Sequence, residues 1–194
     1  MSKLRLNGST SGYIELEAPA VADNGVLTLP TGAAGFGKML QVVHDDKTGP
    51  QTSSLAAGAT IEVNGLTASI TPSSVDSKIL VLVQMSISSG DANADETIGV
   101  ILKRNGTGIG LGNAVGSRTP LTSATVGSTT QGMSYVGVNY LDSPNSISAV
   151  TYTVDMYNGS SGTRTLKVNN TENGTDAVYN GRPSSNIILM EIKA

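Results

Sequence analysis

An all-β chain, folded as a jelly-roll-like antiparallel β-sandwich with an extended N-terminal strand segment, is the architecture this sequence predicts. Three observations carry the expectation. Runs of strand length recur from residue 60 onward with turn residues between them. No stretch of a dozen residues shows helical periodicity. The longest run, KILVLVQMSIS at 78–88, alternates: Ile79, Val81, Val83, Met85 and Ile87 share one face, as a half-buried strand requires. An immunoglobulin-type sandwich ranks second, because such domains usually pack a core tryptophan and this chain has none.

The elements follow in order. Residues 1–48 form a first region. It holds a short run at 4–6, a run at 13–18 stopped by Pro19, a run at 26–29 stopped by Pro30, a Gly- and Ala-rich loop at 32–37, and the run KMLQVVH at 38–44. Proline cannot donate to a strand ladder, so each of the first two closed runs ends where its proline begins. None of these runs closes a core alone, and strands of this kind need a neighbour. Residues 45–57, DDKTGPQTSSLAA, read as a linker or long loop. The head domain, 58–194, carries strand runs at 60–64, 66–71, 78–88, 97–104, 107–112, 133–141, 148–157, 164–169 and 186–192. Asn64-Gly65 and Asn105-Gly106 each separate two runs and predict two-residue hairpins, since a type I′ turn needs positive φ at both central positions. Asn158-Gly159 and Asn180-Gly181 mark further turns.

Composition narrows the function. The chain has 194 residues, which allows one domain and a small appendage. Aromatics make up only 4%, so Val, Ile, Leu and Met must fill the core. Charged residues are 14%, below the roughly 25% of ordinary soluble domains. Net charge is −3 and no basic stripe exists, which argues against nucleic acid as a partner. There is no cysteine, so disulfides and thiolate metal sites are excluded, and stability must come from packing or oligomerisation. No apolar run approaches the roughly 20 residues of a membrane helix, so no membrane insertion is expected, and no signal peptide is visible.

The candidate chemical motifs each fail a physical requirement. NGTGIGLGNAVG at 105–116 offers five glycines but neither the dinucleotide spacing nor a following helix; it reads as a strand whose small residues admit another backbone. DANADE at 91–96 begins like a calcium loop, but has Glu96 where that loop needs glycine and Leu102 where it needs a closing glutamate. His44, the one histidine, sits beside Asp45 and Asp46 without a recognisable nucleophile motif. The few tyrosines read as strand packing with hydroxyls at the rim, or as loop contacts for a sugar. No enzymatic role, no cofactor and no resident metal are expected. A secreted carbohydrate-binding module is the alternative from another functional class.

Two runs are apolar on both faces. Leu80 and Leu82 lie opposite the Ile79 face. In NIILMEIK, Ile188, Met190 and Ile192 share one face, with Ile187 and Leu189 on the other. Such strands need cover on both sides, either from the first region's strands or from a partner subunit; both readings stand.

The opening stretch GSTSGYIELEAPAVADNGVLTLP, followed by GKMLQVV, resembles the amino-terminal module of tail-fibre and virion surface proteins of tailed bacteriophages. The matching residues are Ala18-Pro19-Ala20, Leu27-Thr28-Leu29-Pro30 and 37–43. The later segments LTASITPSSVDSKILVLV, GSRTPLTSAT and YVGVNYLDSP resemble the β domains of such proteins in marine and cyanobacterial phages. The resemblance implies a homotrimer located in the virion, with residues 1–48 as its attachment and trimerisation segment: a short tail or capsid fibre, or a capsid decoration protein. It would contact other virion proteins and adhere to a host surface glycan. It departs from long fibres in lacking shaft repeats or a coiled coil. The oligomer- or virion-contact residues expected on this reading are Tyr13, Ile14, Leu16, Pro19, Leu27, Leu29, Leu40, Val42, Leu80, Leu82, Ile187 and Leu189. Loops 91–96, 118–125 and 170–176 are the candidate outward contacts.

Overall fold

A computed structural model describes residues 3–7, 11–17, 38–90, 96–127 and 132–194. The chain divides into two units, Met1–Phe36 and Gly37–Ala194. In the first, β1 (Lys3–Asn7) and β2 (Tyr13–Glu17) form an antiparallel hairpin that pairs Leu4 with Leu16 and Leu6 with Ile14. The Arg5 guanidinium stands 3.5 Å from the centre of the Tyr13 ring, a cation–π contact on the hairpin surface.

The second unit is a sandwich of two antiparallel sheets. The strands of its first sheet are β3 (Met39–Lys47), β4 (Gln51–Leu55), β6 (Lys78–Gly90), β10 (Ser134–Asp142), β12 (Arg164–Val168) and β13 (Ser185–Ile192). The second holds β5 (Thr60–Ile70), β7 (Thr97–Arg104), β8 (Thr107–Ile109), β9 (Ser123–Val126) and β11 (Val150–Asn158). Several of these strands are halves of one longer run. β13 pairs with β6 from Lys78 to Gln84, and β12 pairs with it from Ile87 to Gly90. β10 already occupies the opposite edge of β6 as far as Ile87, so β12 and β13 share one edge end to end. β3 and β4 lie end to end beyond them, and β8 and β9 lie end to end along β7.

Joining these halves leaves eight runs in chain order: β3/β4, β5, β6, β7, β8/β9, β10, β11 and β12/β13. Run one pairs with run eight, two with seven, three with six, and four with five. That nesting, a long hairpin rolled into two sheets, is the jelly roll. Between the sheets the odd residues of β6 (Ile79, Val81, Val83, Met85, Ile87) meet Val63, Leu66, Val154, Met156 and their neighbours, all at most 2% exposed. Among the described residues Tyr152 is the one fully buried aromatic of this core, with Tyr140 partly buried against it.

Two breaks in the runs are pinned by polar side chains. Between β12 and β13 the chain leaves at Asn169 and returns at Ser185. Asn169 sits at φ +55; its amide donates to Lys47 O at 2.7 Å, its backbone N–H donates to Ser86 O, and its carbonyl oxygen accepts from Ser185 Oγ at 2.6 Å. At the end of β12, one buried side chain therefore ties the end of β3 to the start of β13, while its backbone N–H holds β6. Between β8 and β9, Thr122 Oγ1 accepts from Leu102 N–H and donates to Ile109 O, both at 2.9 Å.

Three expectations are corrected here. The linker expected over 45–57 is the end of β3 and all of β4, so the sandwich starts near residue 38 and not at 58. These are edge strands, and an edge with one solvated face tolerates the polar run QTSSL that reads as a loop. Asn64-Gly65 is not a hairpin, because 60–70 is one strand. Its register with β11 jumps from Thr67↔Thr153 to Glu62↔Asp155, so residues 63–66 bulge opposite Val154, with Gly65 at φ +73. The dipeptide signalled positive φ, which a bulge also needs. The side chain of Gln51 closes the gap, donating to Glu62 O and accepting from Asn64 N–H, each at 2.8 Å. The run expected at 107–112 ends at Ile109. Asn105-Gly106, by contrast, is a type I′ hairpin turn, with φ +49 and +81.

The Asn169 junction yields a test. Asn169→Gly keeps the left-handed backbone but strips the amide bonds, and should lower the unfolding free energy by about 2 kcal/mol in urea titration. Asn169→Ala adds the left-handed strain of a Cβ, about 1 kcal/mol more. A loss below about 0.5 kcal/mol in both variants would show that the junction does not hold the runs together.

Candidate interaction surfaces

The sandwich has two unlike ends. Met39, Lys78, Asp142 and Ile192 mark the proximal end, where the chain enters from residue 38 and Lys193 N–H donates to Lys38 O at 2.7 Å. The loops 71–77, 105–106 and 143–149 lie at this end. Residues 56–59, 96, 127, 132–133 and 159–163 lie at the distal end, by the antiparallel order of the strands.

The proximal end is closed by ionic and polar groups. Arg104 Nη1 donates to both oxygens of Asp142 at 2.9 and 3.0 Å, and Tyr152 OH donates to Asp142 Oδ2 at 2.6 Å. This links β10 of one sheet to β7 and β11 of the other. Burial first, and the bond to Asp142 second, raise the Tyr152 phenol well above its ordinary range. Glu191 is fully buried on the core side of β13 and accepts from Ser73 N–H, Ser73 Oγ and Gln41 Nε2 at 2.6–2.7 Å. Burial alone would raise its pKa, but the Ser73 and Gln41 hydrogen bonds outweigh it and lower the carboxyl to about 2. At the distal end, Arg164 holds Glu96 through Nε and Nη2 at 2.5 and 2.6 Å.

The breaks between β8 and β9 and between β12 and β13 each send an excursion over the outer face of their own sheet. Residues 110–122 cross the second sheet: Thr119 Oγ1 lies 2.9 Å from Tyr157 OH, and a Cβ on Gly99 would fall 2.6 Å from Leu121. Gly110, at φ +62, makes room for the ring of Tyr140, so the glycine-rich segment accommodates side chains, where the sequence suggested a close backbone. Residues 169–184 cover the distal half of the first sheet. Ser88 Oγ donates to Asn170 O at 2.8 Å, Lys167 Nζ donates to Glu172 O, and Gly181 faces Met133.

The proximal half of that same outer face has no such cover among the described residues. Its side chains align in rows across all four runs. One row is Val42, Met190, Leu80 and Leu141; the next is His44, Ile188, Leu82 and Asn139. The third row, Asp46, Asn186, Gln84 and Gly137, is polar. Val42 is 50% and Leu141 54% exposed, while Leu80, Leu82, Ile188 and Met190 are half-buried by their neighbours. The polar half of the face is thus covered by the chain itself and the apolar half is open, the reverse of what burial favours in an isolated subunit.

The expected contact residues divide accordingly. Leu40, Val42, Leu80 and Leu82 are on strands of the first sheet; Val42, Leu80 and Leu82 stand in the two apolar rows, and Leu40 is 39% exposed. Ile187 and Leu189 are a correction: both are fully buried in the sandwich core and cannot touch another chain. Their strand's outward face carries Ile188 and Met190. Glu191 shares the parity of Ile187 and Leu189 and makes that face look solvated, but its charge is held inside by Ser73 and Gln41. Tyr13, Ile14 and Leu16 lie on β2, with Tyr13 exposed. Pro19, Leu27 and Leu29 lie outside the described residues, as does most of loop 91–96. Loop 170–176 belongs to the excursion over the first sheet, near Gly90 at the distal end. Loop 118–125 lies on the other sheet. His44 and Asp46 are both exposed at 3.8 Å, and among the described residues no group of three His, Asp or Glu could hold a metal. Leu141 and Met190 were missed as contact residues. The signal was available in YVGVNYLD, where Tyr135, Asn139 and Leu141 alternate with core valines.

No protein family and no curated protein matches the chain. Among solved structures it is similar to that of the infectious bursal disease virus Gt strain, with 15% identity, a TM-score of 0.40 and coverage of 97% of this chain and 46% of that one. Infectious bursal virus derived T=1 particles give 14% identity, a TM-score of 0.43 and coverage of 97% and 44%. The VP2 subviral particle of infectious bursal disease virus gives 12%, 0.38, and 96% and 45%. The chain spans less than half the length of each. Likeness at this level assigns neither family nor role.

The Glu191 site predicts a pH dependence. Its folded pKa lies below the ordinary 4.5, so its contribution to stability is present above that value and is lost as pH falls toward about 2. At pH 7 Glu191→Gln should unfold about 2–3 kcal/mol more easily than wild type. The gap should close between pH 4.5 and 2 in denaturant titrations. A gap constant over that range would remove Glu191 as its source.

Proposed function

We propose that this chain is a virion structural protein: a short homotrimeric fibre or decoration protein on the surface of a tailed-phage particle. Its role is structural and adhesive, not enzymatic. The observation that carries the reading is the polarity of the sandwich. The chain enters at the end that bears the open apolar rows, and its excursion 169–184 lies toward the other end. That is the layout of a head held at one end and displayed at the other.

The N-terminal sequence supports the same reading. Residues 8–43 resemble the attachment module of phage surface proteins, and the β1–β2 hairpin is a two-stranded sheet, which is marginal in water without a neighbour. A partner subunit or the particle surface would provide that neighbour. Tail and capsid positions are both compatible with this layout. The distal end, with Tyr135 60% and Tyr179 62% exposed, is where a host surface glycan or another virion protein would be met. Many trimers per particle would raise weak single contacts to firm adhesion.

Light scattering of full-length protein should give three times the 19.8 kDa chain mass. Deleting residues 1–36 leaves every core residue in place, so that shorter chain should melt cooperatively and associate more weakly. A monomeric full-length chain would overturn the fibre reading.

A further inference from the structure

We propose that Lys103 and Asp155 form an amide between their side chains, a covalent tie between β7 and β11 on the outer face of the second sheet. The chain has no cysteine, so a disulfide cannot serve that purpose. The tie lies within one subunit and is independent of how many copies assemble and of the virion reading.

The register brings the two residues together. β7 and β11 are the inner strands of their sheet, and they pair Lys103 with Thr153 and Ile101 with Asp155. Lys103 and Asp155 are therefore diagonal neighbours on the outer face, within reach of a long side chain. Lys103 Nζ donates to Asp155 Oδ2. Asp155 is 2% exposed, and the Lys103 side chain 28%. Among the described residues, this pair differs from the two other ion pairs that shield a carboxylate. Arg104 and Tyr152 together bond both oxygens of Asp142, and Arg164 bonds both oxygens of Glu96. Asp155 Oδ1 is buried with no hydrogen-bond partner. A buried carboxylate with one oxygen unsatisfied is costly, and an ion pair held through a single contact recovers little of that cost.

The amide removes both charges. Proton transfer from the Lys103 ammonium to Asp155 Oδ2 gives a neutral amine and a neutral acid, the forms that burial favours. The Nζ lone pair then attacks Cγ, and the N–C bond forms. The Cγ–Oδ2 bond breaks, and Oδ2 leaves as water with the acid's proton and one proton from the amine. Oδ1 stays as a neutral amide oxygen where the carboxylate was charged. The step needs no oxidant and no external reagent. Glu62 stands directly opposite Asp155 on β5 and shares its face. Its carboxylate is the group placed to carry the proton from nitrogen to the leaving oxygen. Well-oriented groups held in one molecule react as though at about 10⁵ M or more, which drives the condensation in water.

The test is the intact mass of the purified full-length chain, denatured, by mass spectrometry. The tied chain should weigh one water less than its sequence, and its tryptic digest should contain a branched peptide that joins Lys103 to Asp155. Lys103→Arg and Asp155→Ala should each show the full mass of their own sequence. Glu62→Gln should tie more slowly, so freshly purified protein should contain a fraction at full mass. A wild-type chain at its full sequence mass would overturn the proposal. A missing water that persists in Lys103→Arg would overturn it too, by placing the loss elsewhere. A Glu62→Gln chain as completely tied as wild type would remove Glu62 from the step.

Discussion

The structure depends on the central strand of its first sheet. β6 is paired on both edges along most of its length, and its odd residues fill the core between the sheets. A strand in that position has one free surface left, the outer face of its even residues. Lys78, Leu80 and Leu82 give way there to Gln84, Ser86 and Ser88. The chain covers the serine end with its own excursion and leaves the leucine end open. The other large features answer to this one strand: the end-to-end partners along its edge, the asparagine that pins their junction, and the polarity of the two ends.

Polar groups inside the sandwich are handled by pairing, at the strand ends. Asp142 is neutralised by Arg104 and bonded by Tyr152, and Glu191 is enclosed by donors from Ser73 and Gln41. Asn169 and Asn158 serve backbone carbonyls that the interrupted ladders leave unpaired; Asn158 Nδ2 donates to Leu55 O, Ala56 O and Gly162 O at 2.8–3.1 Å. A buried carbonyl without a donor costs about 1–3 kcal/mol, so these side chains replace what a continuous strand would have supplied. Without cysteines or a large aromatic core, such junctions bear much of the specificity of the fold.

Much of this was legible in the sequence. Alternation located β6, β7, β10, β11 and β13 to within two residues at either end, because aliphatic residues dominate their core faces. Asn105-Gly106 gave its hairpin because both residues must adopt positive φ. What failed did so for identifiable reasons. Edge strands β3 and β4 carry polar residues that resemble a linker. Asn64-Gly65 served a bulge. The outward face of β13 was misjudged because Glu191 stands on its core side, a fact that depends on Ser73, which is 118 residues away in sequence. The two excursions were invisible, since nothing local says that a strand will resume on the same edge after a dozen residues. The open apolar rows were half legible: Leu80 and Leu82 stood out, while Met190 and Leu141 needed the register.

The proposed function rests on the polarity of the sandwich more than on any single site. On the reading proposed above, one end of the sandwich would join subunits and the other would face outward, and the open apolar rows lie at the first of these ends. The most direct measurement is electron microscopy of purified phage particles with gold-labelled antibodies, one raised against residues 170–181 and one against residues 186–194. The proposed placement predicts dense labelling of intact particles by the first and none by the second, whose epitope is a sheet strand with Ile187, Leu189 and Glu191 buried in the core. Particles that carry no label with either antibody, with the protein confined to the soluble lysate, would contradict it.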